Sequence, residues 1–416
     1  MSTPGNNERY PTLSSDSTAT DIDSTHIEAL DAALHQEWAL GRNIILTWVP
    51  RETSIDILVI PHYMLSDIFS DLNHDTDTPH DFHSSYAIKD GPEVMIRDVI
   101  SGPKMSDDDH LQYFSRLFDA EPHTIDIPFT PGLEVPYQTI ESMVKRYGIS
   151  YVEDRAVVLF DIVEFSLLSP LDQVAQLNSL AYSINSAYSK MLDNDIYVNF
   201  ARTTTGDGFY IWNRDRSIQA NVDLYHFMHL ILANNAIAHS KSLSSSTPLL
   251  RTGFHVGGHY EFYQSEGLSP TVYSYIVGDV TIELSRIVDQ ALPGQVLLGD
   301  FLVPIYDDED NTRFKLDTIQ FIEAAQDRLS SLNGLVLSGD KINSIKCYLT
   351  GDKMGDRKEF TVHRYMVVDK HFRGRNVYNA KINIYREDSE PVFLGLQNSE
   401  LENFKAVFSN FITPTA

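Results

Sequence analysis

Thr203–Trp212 reads TTTGDGFYIW. Glycines on both sides of Asp207 let the chain reverse tightly, because a residue without Cβ enters unusual backbone conformations at little cost. After the turn, GFYIWN brings aromatic and β-branched side chains in strand-like alternation. Before it, IYVNFA (Ile196–Ala201) is a second short β-rich run. The two runs predict a hairpin whose turn holds the threonines and Gly206-Asp207-Gly208.

Further upstream, AVVLFDIVEF (Ala156–Phe165) is an almost continuous apolar strand, suited to the middle of a sheet, with Asp161 as its interruption. The helix expected over Leu171–Leu192 follows it, with Leu171, Val174, Leu177, Ala181, Ile184, Tyr188 and Met191 on one face. Strand, helix and hairpin in this order predict the start of a ferredoxin-like α+β arrangement. Downstream, IQANVDLYHFMHLILANNAIAHS predicts a helix, LRTGFHVG a strand, DVTIELSRIVDQA a helix and PGQVLLGD a strand opened by a Pro-Gly turn. INSIKCYLTG, EFTVHRYMVVDKH and NVYNAKINIY alternate as strands do, so the sheet is expected to continue, or to gain a small layer, after residue 340.

The first half differs in character. Residues 1–20 are rich in Ser, Thr, Pro and Asn, and are expected to form a disordered tail. Thr25 and Glu28 suggest a capping box for a helix carrying Ile27, Leu30, Ala33, Leu34 and Trp38. NIILTWV and SIDILVI predict neighbouring strands, and ESMVKRYG a short helix closed by Gly148. The Asp- and His-rich stretch DLNHDTDTPHDFH (Asp71–His83) lacks metal-ligand spacing and is expected to be a solvated loop. The expected organisation is a tail (1–20), an N-terminal α+β region of unknown role (21–148), a main domain (149–350) and a β-rich C-terminal extension (351–416).

Composition narrows the function. The 416-residue chain carries 32 Lys and Arg against 58 Asp and Glu, a net charge of −26. That balance disfavours nucleic acid and anionic membranes as partners, while leaving room for a small, locally guided anionic ligand. The single cysteine, Cys347, excludes an internal disulfide framework and is expected to be a buried packing residue in a reducing compartment. No apolar run reaches the length of a membrane span and no signal core is evident, so a cytoplasmic location is expected.

If the sheet pairs the Asp161 strand with the hairpin, two carboxylates come together. Such a pair is costly unless a cation compensates it, and a divalent metal is the common solution. Two metals about 3.5–4 Å apart can activate a hydroxyl and stabilise an in-line displacement at phosphorus. On the residues alone, Asp161 is either half of such a site or a strand-end carboxylate capping a loop. Asp207 is either its partner or a turn residue.

VVLFDIVEFS, TTTGDGFYIW, LLRTGFHVGGHY, YIVGDVTIELSRI and ALPGQVLLGD occur in an order and with separations that resemble the class III nucleotide cyclases, the adenylyl and guanylyl cyclase superfamily. The resemblance covers roughly residues 150–302. It implies a head-to-tail homodimer with a shared active site at each interface, and two Mg or Mn ions per site. Asp161 and Asp207 would be the metal aspartates, with the carbonyl of Ile162 as backbone ligand. The ribose 3'-hydroxyl of a nucleoside triphosphate would attack the α-phosphate, closing a cyclic nucleotide and releasing pyrophosphate. Arg286 matches the arginine supplied by the facing subunit. Ile282 stands where the family has asparagine, and Glu164 where it has glycine. Lys341 and Lys346 are candidates for the triphosphate lysine.

The family selects its base with the residues three positions before Gly206 and Gly278, here Thr203 and Tyr275. Neither the Lys and Asp pair of adenylyl cyclases nor the Glu and Cys pair of guanylyl cyclases is present. The chain resembles the pyrimidine cyclases of Pycsar anti-phage systems, which implies UTP or CTP as substrate and an effector downstream that responds to the cyclic nucleotide. The alternatives are an adenylyl or guanylyl cyclase with an atypical base pocket, and a catalytically degenerate cyclase-homology domain that only binds. Arg202, preceding the threonines, is expected to face solvent by strand alternation.

Overall fold

A computed structural model describes residues 23–37, 44–61, 63–64, 100–215, 217–242, 246–265, 272–307, 312–352, 361–402, 404 and 408–412. The tail, Trp38 and the Asp- and His-rich stretch lie outside these residues. The chain divides into two compact units, Met1–Ile149 and Ser150–Ala416.

The first unit holds α1 (Ser24–Glu37), β1 (Ile44–Pro50), β2 (Ser54–Ile60), α2 (Asp108–Leu117), β3 (His123–Asp126) and α3 (Tyr137–Lys145). β1 and β2, the expected neighbouring strands, pair antiparallel, and β3 joins β2 to complete an antiparallel three-stranded sheet. Leu30 and Leu34 of α1, Trp48 of β1 and Ile140 and Val144 of α3 are buried in one core. The start of α1 is capped differently from the expectation. Asp23 Oδ1 accepts from the Thr25 backbone N–H at 2.9 Å, so the carboxylate two residues earlier takes the capping role assigned to Thr25.

The second unit begins within β4 (Ile149–Ile162). It continues with α4 (Pro170–Leu192), β5 (Phe200–Thr204), β6 (Gly208–Asn213), α5 (Ile218–Lys241), β7 (Leu250–Ser265), β8 (Val272–Val277), α6 (Asp279–Val288) and β9 (Val296–Gly299). Then come β10 (Leu302–Asp307), β11 (Thr312–Asp317), α7 (Thr318–Arg328), β12 (Val336–Leu337), β13 (Asp340–Leu349), β14 (Val362–Val368), β15 (Gly374–Arg386), β16 (Val392–Leu394) and β17 (Phe408–Ile412). The main sheet runs β12-β13-β15-β9-β7-β4-β6-β5, and β10 and β11 form a separate pair. Within it, β7-β4-β6-β5 together with α4 and α5 has the interleaved order of the ferredoxin-like split βαβ. The stretch after residue 350 enters the same sheet, with β15 lying between β13 and β9.

β4 is covered on both faces, which explains its unbroken apolar sequence. Ala156, Val158 and Phe160 pack with Leu180 and Ile184 of α4 and with the apolar face of α5. Val157 and Leu159, on the opposite face, pack with Val280, Leu284 and Val288 of α6. Of the expected face of α4, Ile184 and Met191 are buried and Leu177 and Tyr188 pack against the core, joined by Leu180 and Ala187, while Leu171 and Val174 are 78% and 57% exposed. Cys347 is buried on β13, and burial pushes its thiol up to about 12.

Candidate active site

β4 and β6 pair antiparallel, with Asp161 opposite Gly208 and Leu159 opposite Tyr210. β5 and β6 pair with Thr203 opposite Tyr210. This register sets Thr203, Tyr210 and Leu159 in one row across the sheet, and alternation puts Asp161, two residues beyond Leu159, on the same face. The turn is closed by Thr205 N–H donating to the Gly208 carbonyl at 3.1 Å and by Gly206 N–H donating to Thr204 Oγ1 at 3.0 Å. Two of the threonines are therefore part of the turn itself. Gly206 has a φ of 100°, and a Cβ at position 208 would overlap the Phe160 carbonyl oxygen. Both glycines are demanded by the backbone.

Asp207 is carried in this turn beside the end of β4, where Ile162 N–H donates to the Asp207 carbonyl at 2.9 Å. Its carboxylate accepts from Thr205 Oγ1 at 3.0 Å. The hairpin pairing thus brings the two predicted carboxylates together. Asp161 is partly buried, which pushes its pKa above the usual carboxylate value; Arg251 opposes the shift, and Asp207 and Asp289 add to it.

Arg251 was not singled out from the sequence. It opens β7, the neighbour of β4, and its Nε donates to Asp161 Oδ2 at 2.8 Å, with Nη2 on the same oxygen. The only hint in the sequence is a cation at the head of LRTGFHVG, and nothing there says that this end of β7 lies beside the end of β4. Val163 N–H donating to the Leu249 carbonyl at 2.9 Å ties the two ends.

Tyr210 is a second addition. Its hydroxyl donates to the Thr281 carbonyl of α6 at 3.0 Å, and burial pushes it up to about 12. It joins the strand that follows Asp207 to the helix that carries Arg286. On α6, Ile282 is 50% exposed and lies one turn from Arg286, whose guanidinium is 3.9 Å from Asp289. Glu164 follows the end of β4 with a φ of 56°, a left-handed conformation that glycine adopts more readily.

The other predicted residues are placed apart. Ile276 of β8 packs in the cluster with Ala201 and Tyr210, while Tyr275 stacks on Phe262 with ring centroids 5.6 Å apart. Lys346 and Lys341 are exposed on β13, four strands from β4 in the sheet. At about 4.8 Å per strand that is roughly 19 Å, beyond the reach of a lysine to Asp161 in the same chain. Arg202 is exposed with its guanidinium over the Phe209 ring, on the side away from Thr203.

The chemistry of the donor set suits a hard divalent cation: two carboxylates and the Ile162 carbonyl are oxygen ligands of the kind that Mg and Mn take. Among the described residues, no group of three or more His, Cys, Asp or Glu side chains is placed to hold a metal. An ion here would rest on two side-chain carboxylates and backbone, leaving coordination positions for a phosphate-bearing ligand.

No protein-family model matches the chain, and no curated protein matches it. Among solved structures it is similar to the guanylate cyclase domain of RhGC from Catenaria anguillulae in complex with GTP. That similarity is 14% identity, covering 57% of this chain and 100% of that one, with a TM-score of 0.34. The adenylyl cyclase CyaB from P. aeruginosa is similar at 13% identity over 58% of this chain and 97% of that one, TM-score 0.33. The guanylyl cyclase Cya2 is similar at 14% identity over 56% of this chain and 92% of that one, TM-score 0.31.

Proposed function

We propose that this chain is a class III-type nucleotide cyclase that converts a pyrimidine nucleoside triphosphate, UTP or CTP, to its 3',5'-cyclic monophosphate and pyrophosphate. The observation that carries the reading is the pairing of Asp161 with Gly208, which brings the turn that carries Asp207 beside the end of β4, with Arg251 bound to Asp161. Asp161, Asp207 and the Ile162 carbonyl would hold Mg or Mn, which when bound supplies activation of the 3'-hydroxyl and neutralisation of phosphate charge. Arg251 now compensates a partly buried carboxylate; a cation on Asp161 and a polyphosphate beside Arg251 would satisfy both partners at once. Arg286, contributed by the second copy in a homodimer, would stabilise charge that develops on the phosphate oxygens. Lys346, too distant in one chain, is assigned to phosphate only across such a dimer.

Thr203 supports the pyrimidine reading. It is a short hydrogen-bonding side chain on the same sheet face as Asp161, suited to a base edge. Tyr275, stacked on Phe262 on the face of β8 opposite Ile276, would limit the size of the base only if its ring turned out of that stack. The product would act as a defence second messenger read by a cyclic-nucleotide-responsive effector. A second reading, a cyclase-like fold that binds nucleotide without turnover, is favoured by Ile282, which cannot hydrogen-bond a ribose.

The test is incubation of the purified protein with ATP, GTP, CTP and UTP, each with Mn, and identification of the products by mass spectrometry. Cyclic UMP or cyclic CMP is expected. Cyclic AMP or cyclic GMP alone overturns the pyrimidine assignment, and no cyclic product from any of the four overturns the enzyme.

A further inference from the structure

α6 is tied to the turn between β14 and β15. Arg375, the second residue of β15, forms an ion pair with Glu283 on α6 through Nη1. Its Nη2 lies 3.4 Å from Asp369 Oδ2. Asp369 is itself fixed, its Oδ1 accepting from the backbone N–H groups of His371 at 2.8 Å and Arg373 at 3.0 Å. The side chains of Arg375 and Glu283 are 14% and 24% exposed, so the pair is only partly open to solvent. Glu283 lies three residues before Arg286, hence on the same side of the helix. The backbone bonds from Arg373 and His371 hold the Asp369 carboxyl below its usual value, and the charges of His371 and, least, Arg286 add to this.

We propose that Glu283, Arg375 and Asp369 are positioning residues for Arg286: the turn between β14 and β15 sets the orientation of α6 through the Glu283–Arg375 pair. This inference rests on the role given to Arg286 above. Apolar packing of Val280, Leu284 and Val288 fixes the depth of the helix on the sheet. Such contacts are non-directional and leave small rotations inexpensive. A charge-assisted pair on one side of the helix resists that rotation. It also gives the residues after 350 a part in the site, although none of them resembles a catalytic motif.

Glu283→Gln and Arg375→Met should each lower kcat by roughly 10- to 100-fold with little change in KM, because a small displacement of a transition-state group leaves substrate binding nearly intact. Arg375→Lys should recover part of the loss. In an Arg286→Ala background, Glu283→Gln should cost nothing further, as expected for residues acting through one group. Equal losses with and without Arg286 overturn the proposal, as does a rise in KM at unchanged kcat. A readout independent of turnover is the NMR order parameter of the Arg286 Nε–Hε group, expected to fall in Glu283→Gln while the melting temperature stays near that of the wild type. An unchanged order parameter overturns the positioning role even if the enzyme is active. If the wild type makes no cyclic nucleotide, the proposed function falls, and the order parameter alone decides whether the turn positions Arg286.

Discussion

Arg251 Nε is bound to the carboxylate of Asp161 at 2.8 Å, between residues ninety apart in the chain. The pair is partly exposed, and burial still holds Asp161 above its usual pKa. Between the usual value and the raised one, the folded chain binds more protons than the unfolded chain, so the contribution of this group to stability falls as pH rises through that window. Below the window both states are protonated and the effect vanishes. Asp161→Asn should therefore melt higher than the wild type at pH 7 and equally at about pH 3. Mn should raise the melting temperature of the wild type and not of the variant. Thermal unfolding at both pH values, with and without Mn, checks this; a wild type that is the more stable at pH 7 without metal would show that the Arg251 pair outweighs burial.

Division of the site between two copies is checked by mixing. Asp161→Ala and Arg286→Ala should each lose activity, the latter by about 10²–10³-fold in kcat for removal of one transition-state donor. Mixed and allowed to exchange, they should regain measurable turnover, because one interface then holds an intact site. No regain would place Asp161 and Arg286 in the same site of one chain.

The turn glycine is expected to be intolerant. A Cβ at position 208 would displace the Phe160 carbonyl, next to Asp161. Gly208→Ala should destabilise the second unit by about 1–3 kcal/mol, in the range for overpacking a tight contact, and should reduce activity along with stability. A melting curve unchanged from the wild type would mean that the hairpin shifts freely.

Glu164 should behave in the opposite way. With its φ at 56°, Glu164→Gly is expected to change stability by less than about 1 kcal/mol, since relieved strain offsets added chain entropy. Glu164→Val should cost about 1–2 kcal/mol, because a β-branched side chain resists the left-handed region. Denaturant midpoints of the two variants separate the cases, and equal midpoints would contradict the strain argument.

In the first unit, Lys104 is fully buried, its Nζ has no hydrogen-bond partner among the described residues, and burial pulls it down to about 7. The unfolded chain binds more protons than the folded one from that value up to the ordinary lysine value, so stability of this unit should rise with pH through the window. Lys104→Met should remove the slope and stabilise the unit at pH 6. An unchanged pH profile would show that Lys104 stays charged when buried.

The order of elements was legible in the sequence because strands and helices have different apolar periods, and hairpin turns need glycine. The unbroken apolar run around Asp161, the glycines around Asp207 and the long helices after each strand all depend on local chemistry. For the same reason Asp161 and Asp207 stand out, one inside an apolar strand and the other between two glycines, whereas Thr203 stands out only through the resemblance to the cyclases. Arg251 and Tyr210 interrupt nothing, and their importance comes from which strand ends meet. The placing of Tyr275 against Phe262 and of Lys346 four strands away was equally hidden, because a side chain's neighbours across a sheet depend on strand order.

By itself, then, the sequence determined the elements, the hairpin and the two carboxylates, through periodicity and backbone sterics that act over a few residues. Tertiary structure decided that the head of β7 neutralises Asp161, that Tyr210 ties the hairpin strand to α6, and that residues beyond 350 hold Glu283. Those contacts join segments far apart in the chain, and only the pairing of strands and the packing of α6 on the sheet bring their charges within reach of one another.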